Sequence, residues 1–85
     1  MSELTHHAIQ HNVHRLRKER GFTLLKLAHK SGLRAESIAA IENGHSADPR
    51  LRTLIGLAQA LGVTTDELVT WDDRDGPRPR QAGAR

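Results

Sequence analysis

Apolar residues recur at helical spacing along most of this chain. Ile9, Val13 and Leu16 follow one another at steps of four and three, with polar or charged residues between them. This period is typical of an amphipathic helix, which we predict over residues 8 to 20, ended by Gly21. Later glycines interrupt similar but shorter patterns, so the sequence predicts a series of short helices.

Two of these short helices flank a tight turn at residues 31 to 33, which read Ser-Gly-Leu. Thr23 can cap the first of them, and the glycine of the turn can end it. The second spans about residues 35 to 43, where Gly44 supplies a left-handed exit. The residues predicted to face the core are Leu24, Leu27, Ala28, Ile38 and Ile41.

Two further helices complete the pattern. Asp48 as the cap and Pro49 in the first turn predict the start of a fourth helix, which Gly62 ends. Thr64 and Glu67 have the spacing of a capping box for a fifth helix that ends near Thr70. The predicted core residues of these two helices are Leu51, Leu54, Ile55, Ala58, Leu61, Leu68 and Val69.

The sequence therefore predicts an all-α fold, a single five-helix bundle. Its 85 residues, 36% of them hydrophobic, suffice for one core and are too few for a second. We assign residues 1–7 to an N-terminal arm and residues 8–71 to the helical domain. Residues 72–85 form a tail rich in Pro, Arg and Asp, which we expect to be flexible because it lacks apolar periodicity.

Composition excludes several classes of protein. The chain has no cysteine, so neither a disulfide nor a thiolate zinc site can stabilise it. No apolar run approaches the length of a membrane span, and the first residues do not read as a signal peptide, so we expect a cytoplasmic protein without membrane contact. Because Phe22 and Trp71 are the only aromatic residues, stacking on unpaired bases cannot be the main binding mode.

Basic residues are concentrated in the helical part. Up to Gly62, nine Lys or Arg residues stand against five acidic ones, whereas the remainder has four against five. Such an excess on a folded domain suits contact with phosphates, although many solvated surfaces share it.

Two short helices around a tight turn are the helix-turn-helix signature. The surrounding residues sharpen it: Leu16-Arg17, Gly21-Phe22-Thr23, Leu27-Ala28, Gly32, Ile38, Ile41-Glu42-Asn43-Gly44, Asp48-Pro49-Arg50-Leu51 and Leu57-Ala58-Gln59-Ala60-Leu61-Gly62-Val63. Over about residues 9 to 70, the chain resembles the phage-repressor and Cro type helix-turn-helix family, often called XRE. The resemblance implies a lambda-repressor-like domain that binds double-stranded DNA, usually as a homodimer on a palindromic operator, and regulates transcription. We expect no cofactor and no metal.

The resemblance also implies contact residues. The recognition helix, about residues 35 to 43, would lie in the major groove, and Arg17 and Glu42 would form a structural ion pair between the first and third helices. Asn43 and His45 would contact backbone phosphates and so position the protein, with Ser46 as a helper. The full set of DNA-contacting residues that it implies is Thr23, Lys26, Arg34, Ala35, Glu36, Ser37, Ala39, Ala40, Asn43 and His45.

This sequence departs from the family pattern at the DNA-contacting positions. Leu24 replaces a glutamine that usually reaches a phosphate, although the backbone donors of that helix end remain an anion site. Arg34 replaces a capping Ser or Thr at a cost of roughly 1 kcal/mol, which a phosphate or guanine contact would offset; tolerated drift on a solvated turn is the alternative. Lys26 is either a phosphate contact or an ordinary solvated lysine.

The groove-facing positions are poor readers of bases. Alanine can only pack on a thymine methyl group, Glu36 can accept from cytosine N4, and Arg34 alone can grip guanine. We therefore expect specificity to rest on few positions and on DNA shape.

Three histidines share one face of the first predicted helix, because His7, His11 and His14 follow at steps of four and three. A metal site and a proton sensor are both alternatives to a plain polar face. A metal would need a ligand from elsewhere, so we favour proton-linked DNA affinity through His14 and His45 near phosphates.

Other functions remain as alternatives. We expect no enzyme, because the chain carries no nucleophile elbow, Walker loop or dinucleotide fingerprint, and five short helices leave no obvious pocket. A protein-interaction module that binds a toxin or an RNA polymerase subunit in place of DNA is the second reading. For a homodimer, the predicted interface is Leu68, Val69 and Trp71, although Trp71 can equally cover the core of its own domain.

Overall fold

The computed structural model describes residues 2–45 and 48–79, which contain five α-helices and no strand. The helices are α1 (Glu3–Glu19), α2 (Leu24–Ser31), α3 (Ala35–Glu42), α4 (Leu51–Leu61) and α5 (Thr65–Val69), and a 3₁₀ turn (Asp73–Asp75) follows. The predicted all-α, five-helix fold is confirmed. None of these helices has the length and the apolar character to cross a membrane.

One core joins the five helices. α1 packs against α3 and α5, while α2 packs against α3 and α4. Each helix contributes the buried side of its apolar stripe, and such burial typically stabilises by about 1.5–3 kcal/mol per large side chain. The core comprises Ile9, Val13, Leu16, Leu27, Ile38, Ile41, Leu54, Leu57, Ala58, Leu61 and Leu68. The predictions for the buried residues of α1 and α3 are therefore confirmed.

A buried amide also ties α5 to α1. Asn12 of α1 is almost fully buried, and its Nδ2 lies within 3.0 Å of the carbonyl oxygens of Glu67, Leu68 and Thr70. Carbonyls at a helix end have no partner within the helix, so this amide satisfies groups that burial would otherwise leave unpaired. The position of the short α5 is fixed by this contact as well as by Leu68.

α1 begins earlier than predicted. Ser2 caps the helix by accepting a hydrogen bond from the Thr5 backbone N–H at 3.1 Å, and Glu3 suits the positive helix end. The predicted start at residue 8 is therefore wrong, and residues 3–7 of the predicted arm belong to α1. The apolar period identifies only the part of a helix that packs on the core. The first turn of α1 precedes that part, so the period does not show it.

α4 differs from its prediction in start and in buried face. Arg50 is its N-cap, with an extended backbone (ψ 153°), so the helix begins at Leu51 and not at Pro49. Leu51 and Ile55, predicted to be buried, are 68% and 40% exposed, whereas Leu57 is fully buried. The apolar stripe is wider than the contact with α1 and α2, and the first turn extends past that contact.

Part of the predicted tail packs against α1. Trp71 Nε1 donates to the Gly76 carbonyl at 3.1 Å, and the Trp71 ring lies 4.9 Å from the His11 ring. The Asp75 carboxylate lies 3.4 Å from His11 and 3.5 Å from Arg15. Residues that follow α5 thus contact α1 through aromatic and ionic groups, and the flexibility of the tail stays a prediction. Residues 80–85 lie outside the described part of the chain.

Candidate nucleic-acid interface

The turn between α2 and α3 sets the direction of α3. Gly32 ends α2 with a left-handed backbone (φ +73°), a conformation that costs other residues more than glycine. Leu27 and Ile38, both fully buried, then join α2 and α3 to the core. Gly56 lets α4 approach closely, since a Cβ there would lie 3.2 Å from the Ser31 carbonyl oxygen.

A bidentate ion pair fixes the far end of α3. Arg17 Nε donates to Glu42 Oε2 at 2.7 Å, and Arg17 Nη2 donates to Glu42 Oε1 at 2.9 Å. Arg17 Nη1 also donates to the Phe22 carbonyl at 2.9 Å, so the same guanidinium also holds the α1–α2 loop. The ion pair implied by the resemblance is present, with side chains 12% and 6% exposed.

The pair shifts both ionisations in the direction of the charged forms. The hydrogen bond to Glu42 raises the pKa of Arg17 further above its usual range. Burial acts to raise the pKa of Glu42, but hydrogen bonds from Arg17 and His14 outweigh it, so the pKa of this carboxyl is lowered. His14 Nδ1 lies 2.8 Å from Glu42 Oε1, so a third group contacts this carboxylate.

The opposite face of α3 is open and sparsely polar. The side chains of Arg34 and Glu36 are 81% and 79% exposed, and Arg34 Nη2 lies 3.7 Å from Glu36 Oε2. Ser37 is also exposed on this face. The predicted alanine contacts, which are partly exposed, are Ala35, Ala39 and Ala40. Two adjacent charged side chains therefore dominate the chemistry that α3 presents.

The helix starts differ in how their backbone donors are satisfied. At α2, Thr23 Oγ1 accepts from the Lys26 N–H at 3.0 Å, so the predicted cap is confirmed. The N-caps of α3 and α4 are Arg34 and Arg50, and within the described residues neither makes a side-chain capping hydrogen bond. Donors without a side-chain acceptor, beside an arginine, suit a phosphate at both helix starts.

Arg50 is a candidate contact that sequence reasoning missed. The prediction placed the α4 cap at Asp48 and therefore Arg50 inside the helix, so Arg50 was not recognised as the N-cap. The signal that could have found it is the match with Arg34, an arginine directly before an apolar helical run. Because Arg50 is exposed, its guanidinium is accessible to a phosphate.

The remaining predicted contacts are exposed around these helices. Lys26 lies in the first turn of α2, and Asn43 is the C-cap of α3. His45 follows α3, and its N–H donates to the Ala40 carbonyl at 2.8 Å. Ser46 lies outside the described residues.

Comparison with known proteins agrees with this geometry. A family model described as helix-turn-helix matches residues 13–68 of the chain. The chain belongs to the XRE-type helix-turn-helix family. It is similar to an uncharacterised HTH-type transcriptional regulator, y4dJ, of Sinorhizobium fredii, with 42% identity over 62 residues, 73% of this chain and 79% of that protein.

In this helix-turn-helix domain, the predicted dimer residues are not equally accessible. Leu68 is fully buried in the core of its own chain, so it has no area to offer a partner. Val69 and Trp71 are partly buried, and Trp71 packs against His11. The prediction that Leu68 lies at an interface is wrong, because its helix turns it towards α1 and α4.

Three of the four histidines of α1, His7, His11 and His14, line one groove of the domain together with Glu42 and Trp71. They contact different groups, since His11 faces Asp75 and His14 faces Glu42. Within residues 2–45 and 48–79, no three His, Asp or Glu side chains are arranged to hold a metal ion.

A larger groove of about 720 Å³ lies between α1, α5 and the residues that follow α5, where the sequence predicted no obvious pocket. The groove forms because residues 72–79 fold back on α1, which the sequence did not predict. Its lining includes Arg15, Asp66 and Trp71. None of the predicted DNA contacts lines it.

Proposed function

We propose that this helix-turn-helix protein is a sequence-specific regulator of transcription that places α3 in the major groove of double-stranded DNA. The observation that carries the proposal is the division of α3 into a locked face and an open face. Ile38, Ile41 and Glu42 hold one face to the core, while Arg34 and Glu36 extend from the other. To read bases, a helix must be held in a fixed orientation by the core and must expose polar side chains to the groove.

Phosphate contacts would supply most of the affinity in this arrangement. Arg50 is the N-cap of α4 and makes no side-chain capping hydrogen bond within the described residues, and Lys26 lies in the first turn of α2. Asn43 and His45 follow directly after α3. Such contacts position a protein on the duplex without reading sequence, so log affinity falls as log salt rises.

A homodimer on a palindromic operator is part of the proposal. A single α3 presents few readers, and two copies on half-sites about 34 Å apart would double the sequence information. Trp71→Ala separates the two roles open to Trp71: a folded monomer by light scattering supports an interface, whereas an unfolded chain supports a role in its own domain. The contacts with His11 and Gly76 favour the second outcome.

A protein-interaction module is the second candidate. It is favoured by the exposed apolar side chains of Leu25 and Leu51, 75% and 68% exposed, because apolar surface of this kind can be covered by a partner protein. Under either candidate we propose a cytoplasmic binding protein without catalytic activity.

The test is fluorescence anisotropy with duplex DNA from upstream of the protein's own gene, beside a shuffled duplex of the same length and composition, at several salt concentrations. The proposal expects tighter binding to the upstream duplex and weaker binding to both at high salt. If both duplexes bind equally and weakly, the upstream site is rejected and a genome-wide selection of bound fragments follows. If that selection also enriches no sequence, the protein-interaction candidate replaces the proposal.

A further inference from the structure

The Arg34–Glu36 pair has no evident structural purpose. Both side chains are about four-fifths exposed and 3.7 Å apart, so solvent screens the attraction and the pair adds little to stability. Arginine is a poor helix cap, and a glutamate near DNA is repelled by phosphates. A favourable contribution of both side chains to DNA binding would account for their presence at these positions.

The order of donors and acceptors in this pair matches one kind of base pair. Across the major groove, a G·C pair presents guanine N7 and O6 as acceptors and then cytosine N4 as a donor. An arginine fork beside a carboxylate presents donor, donor and acceptor in the complementary order. An A·T pair presents acceptor, donor and acceptor, which cannot satisfy both tips of the fork.

The spacing of the pair agrees with this match. Guanine O6 and cytosine N4 are hydrogen-bonded to each other, so they lie about 3 Å apart. A guanidinium on O6 and a carboxylate on N4 would therefore stand side by side, as Arg34 and Glu36 already do at 3.7 Å. Little rearrangement is needed on binding.

We propose, resting on the proposed function, that Arg34 and Glu36 act as one unit that reads a single C·G base pair in each half-site. Arg34 donates to guanine O6 and N7, and Glu36 accepts from cytosine N4. Arg34 also offsets the repulsion between Glu36 and the phosphates. The two side chains therefore depend on each other for their effect on binding.

The test is selection from a duplex library with about 20 random base pairs by the full chain, followed by sequencing. The control variant is Asp66→Asn, which removes one exposed carboxylate from α5 and should select the same motif as the wild type. Glu36→Gln should relax the selection of C·G at one position per half-site, because a neutral amide accepts from cytosine N4 more weakly than a carboxylate does and can also pair with adenine N6 and N7, while Arg34 still favours guanine. On the wild-type motif it should bind roughly tenfold or more weakly.

The outcomes separate this inference from the proposed function. A wild-type motif that Glu36→Gln selects unchanged overturns the inference and leaves the function standing. Failure of the wild type to enrich any sequence overturns both. On the selected duplex, N4-methylation of the cytosine should also weaken binding roughly tenfold, whereas 5-methylation leaves the N4 donor in place; equal binding of the N4-methylated duplex overturns the inference.

Discussion

The two faces of α3 differ in almost every physical respect. The inner face holds Ile38, fully buried, and Glu42, whose carboxylate contacts Arg17 and His14. The outer face carries Arg34 and Glu36, which are exposed and, among the residues that the structure describes, form an ion pair only with each other, at 3.7 Å. The residues of α3 and its N-cap thus divide into a set that stabilises the fold and a set available to DNA. Substitutions on the two faces should therefore have separable effects.

The largest effect is expected from the inner face. Ile38→Ala should lower the free energy of unfolding by about 4 kcal/mol, because it removes buried methyl groups and leaves a cavity in the core. The matched control is Ile55→Ala on α4, where the partly exposed side chain should cost less than about 1.5 kcal/mol. Urea unfolding of both variants measures the difference, and equal losses would contradict the assignment of the core.

Removing the carboxylate at the end of α3 should have the next largest effect. Glu42→Gln should cost roughly 3 kcal/mol near neutral pH, because Arg17 is left as a largely buried charge without its partner. The exposed carboxylate of Glu19, which contacts Arg15 at 3.0 Å, provides the control: Glu19→Gln should cost less than about 0.5 kcal/mol.

The same variant predicts a pH dependence with a definite sign. Because the folded-state pKa of Glu42 is lowered, its stabilising effect is full above the ordinary carboxyl pKa of 4.5 and is lost as pH falls through the folded value. The stability gap between the wild type and Glu42→Gln should therefore narrow in acid. A gap that stays constant from neutral pH into that range would contradict the ionic account.

Much of the inner face was predictable from sequence, and less of the outer one. The period of Ile38 and Ile41 and the turn at Gly32 identify the buried side, because helix geometry alone fixes which residues share a face. The pairing of Arg17 with Glu42 came from the family resemblance. The start of α4, and with it Arg50, was missed because capping patterns locate a helix end only within one or two residues.

The sequence could not decide burial at the edges of the bundle. Ile55 and Leu68 are both apolar residues at helical spacing, yet one is partly exposed and the other fully buried. The exposure of each side chain depends on whether a neighbouring helix packs over it. That packing belongs to the tertiary structure and cannot be derived from helical spacing alone. The same holds for Trp71, whose contact with His11 joins residues sixty positions apart.

On the outer side, a phosphate contact should affect binding and leave stability unchanged. Arg50→Ala should weaken DNA binding about fivefold, equally for all sequences, and reduce the slope of log affinity against log salt by about 1. Arg74→Ala removes the same charge from the 3₁₀ turn, and it should leave both quantities nearly unchanged. Equal effects of the two variants would mean that only net charge matters.

The smallest effect expected is a proton linkage. A protonated histidine beside a phosphate adds an attraction, so DNA affinity should be roughly threefold higher in mildly acid than in mildly alkaline buffer. Replacing His45 by glutamine should remove most of this difference, whereas His29→Gln on α2 should preserve it. His14 contacts Glu42 at 2.8 Å, so it is not expected to contribute. An affinity that does not change with pH would rule out this linkage.

The most direct test of the division of α3 is an NMR titration of the ¹⁵N-labelled protein with duplex DNA. The account predicts chemical-shift changes for the backbone amides of residues 34–37, of Asn43 and of Arg50. The chemical shifts of α5 and of the non-proline residues between 71 and 79 should not change. Chemical-shift changes concentrated on α5 and the residues that follow it, with α3 unaffected, would contradict the account and place the binding surface there.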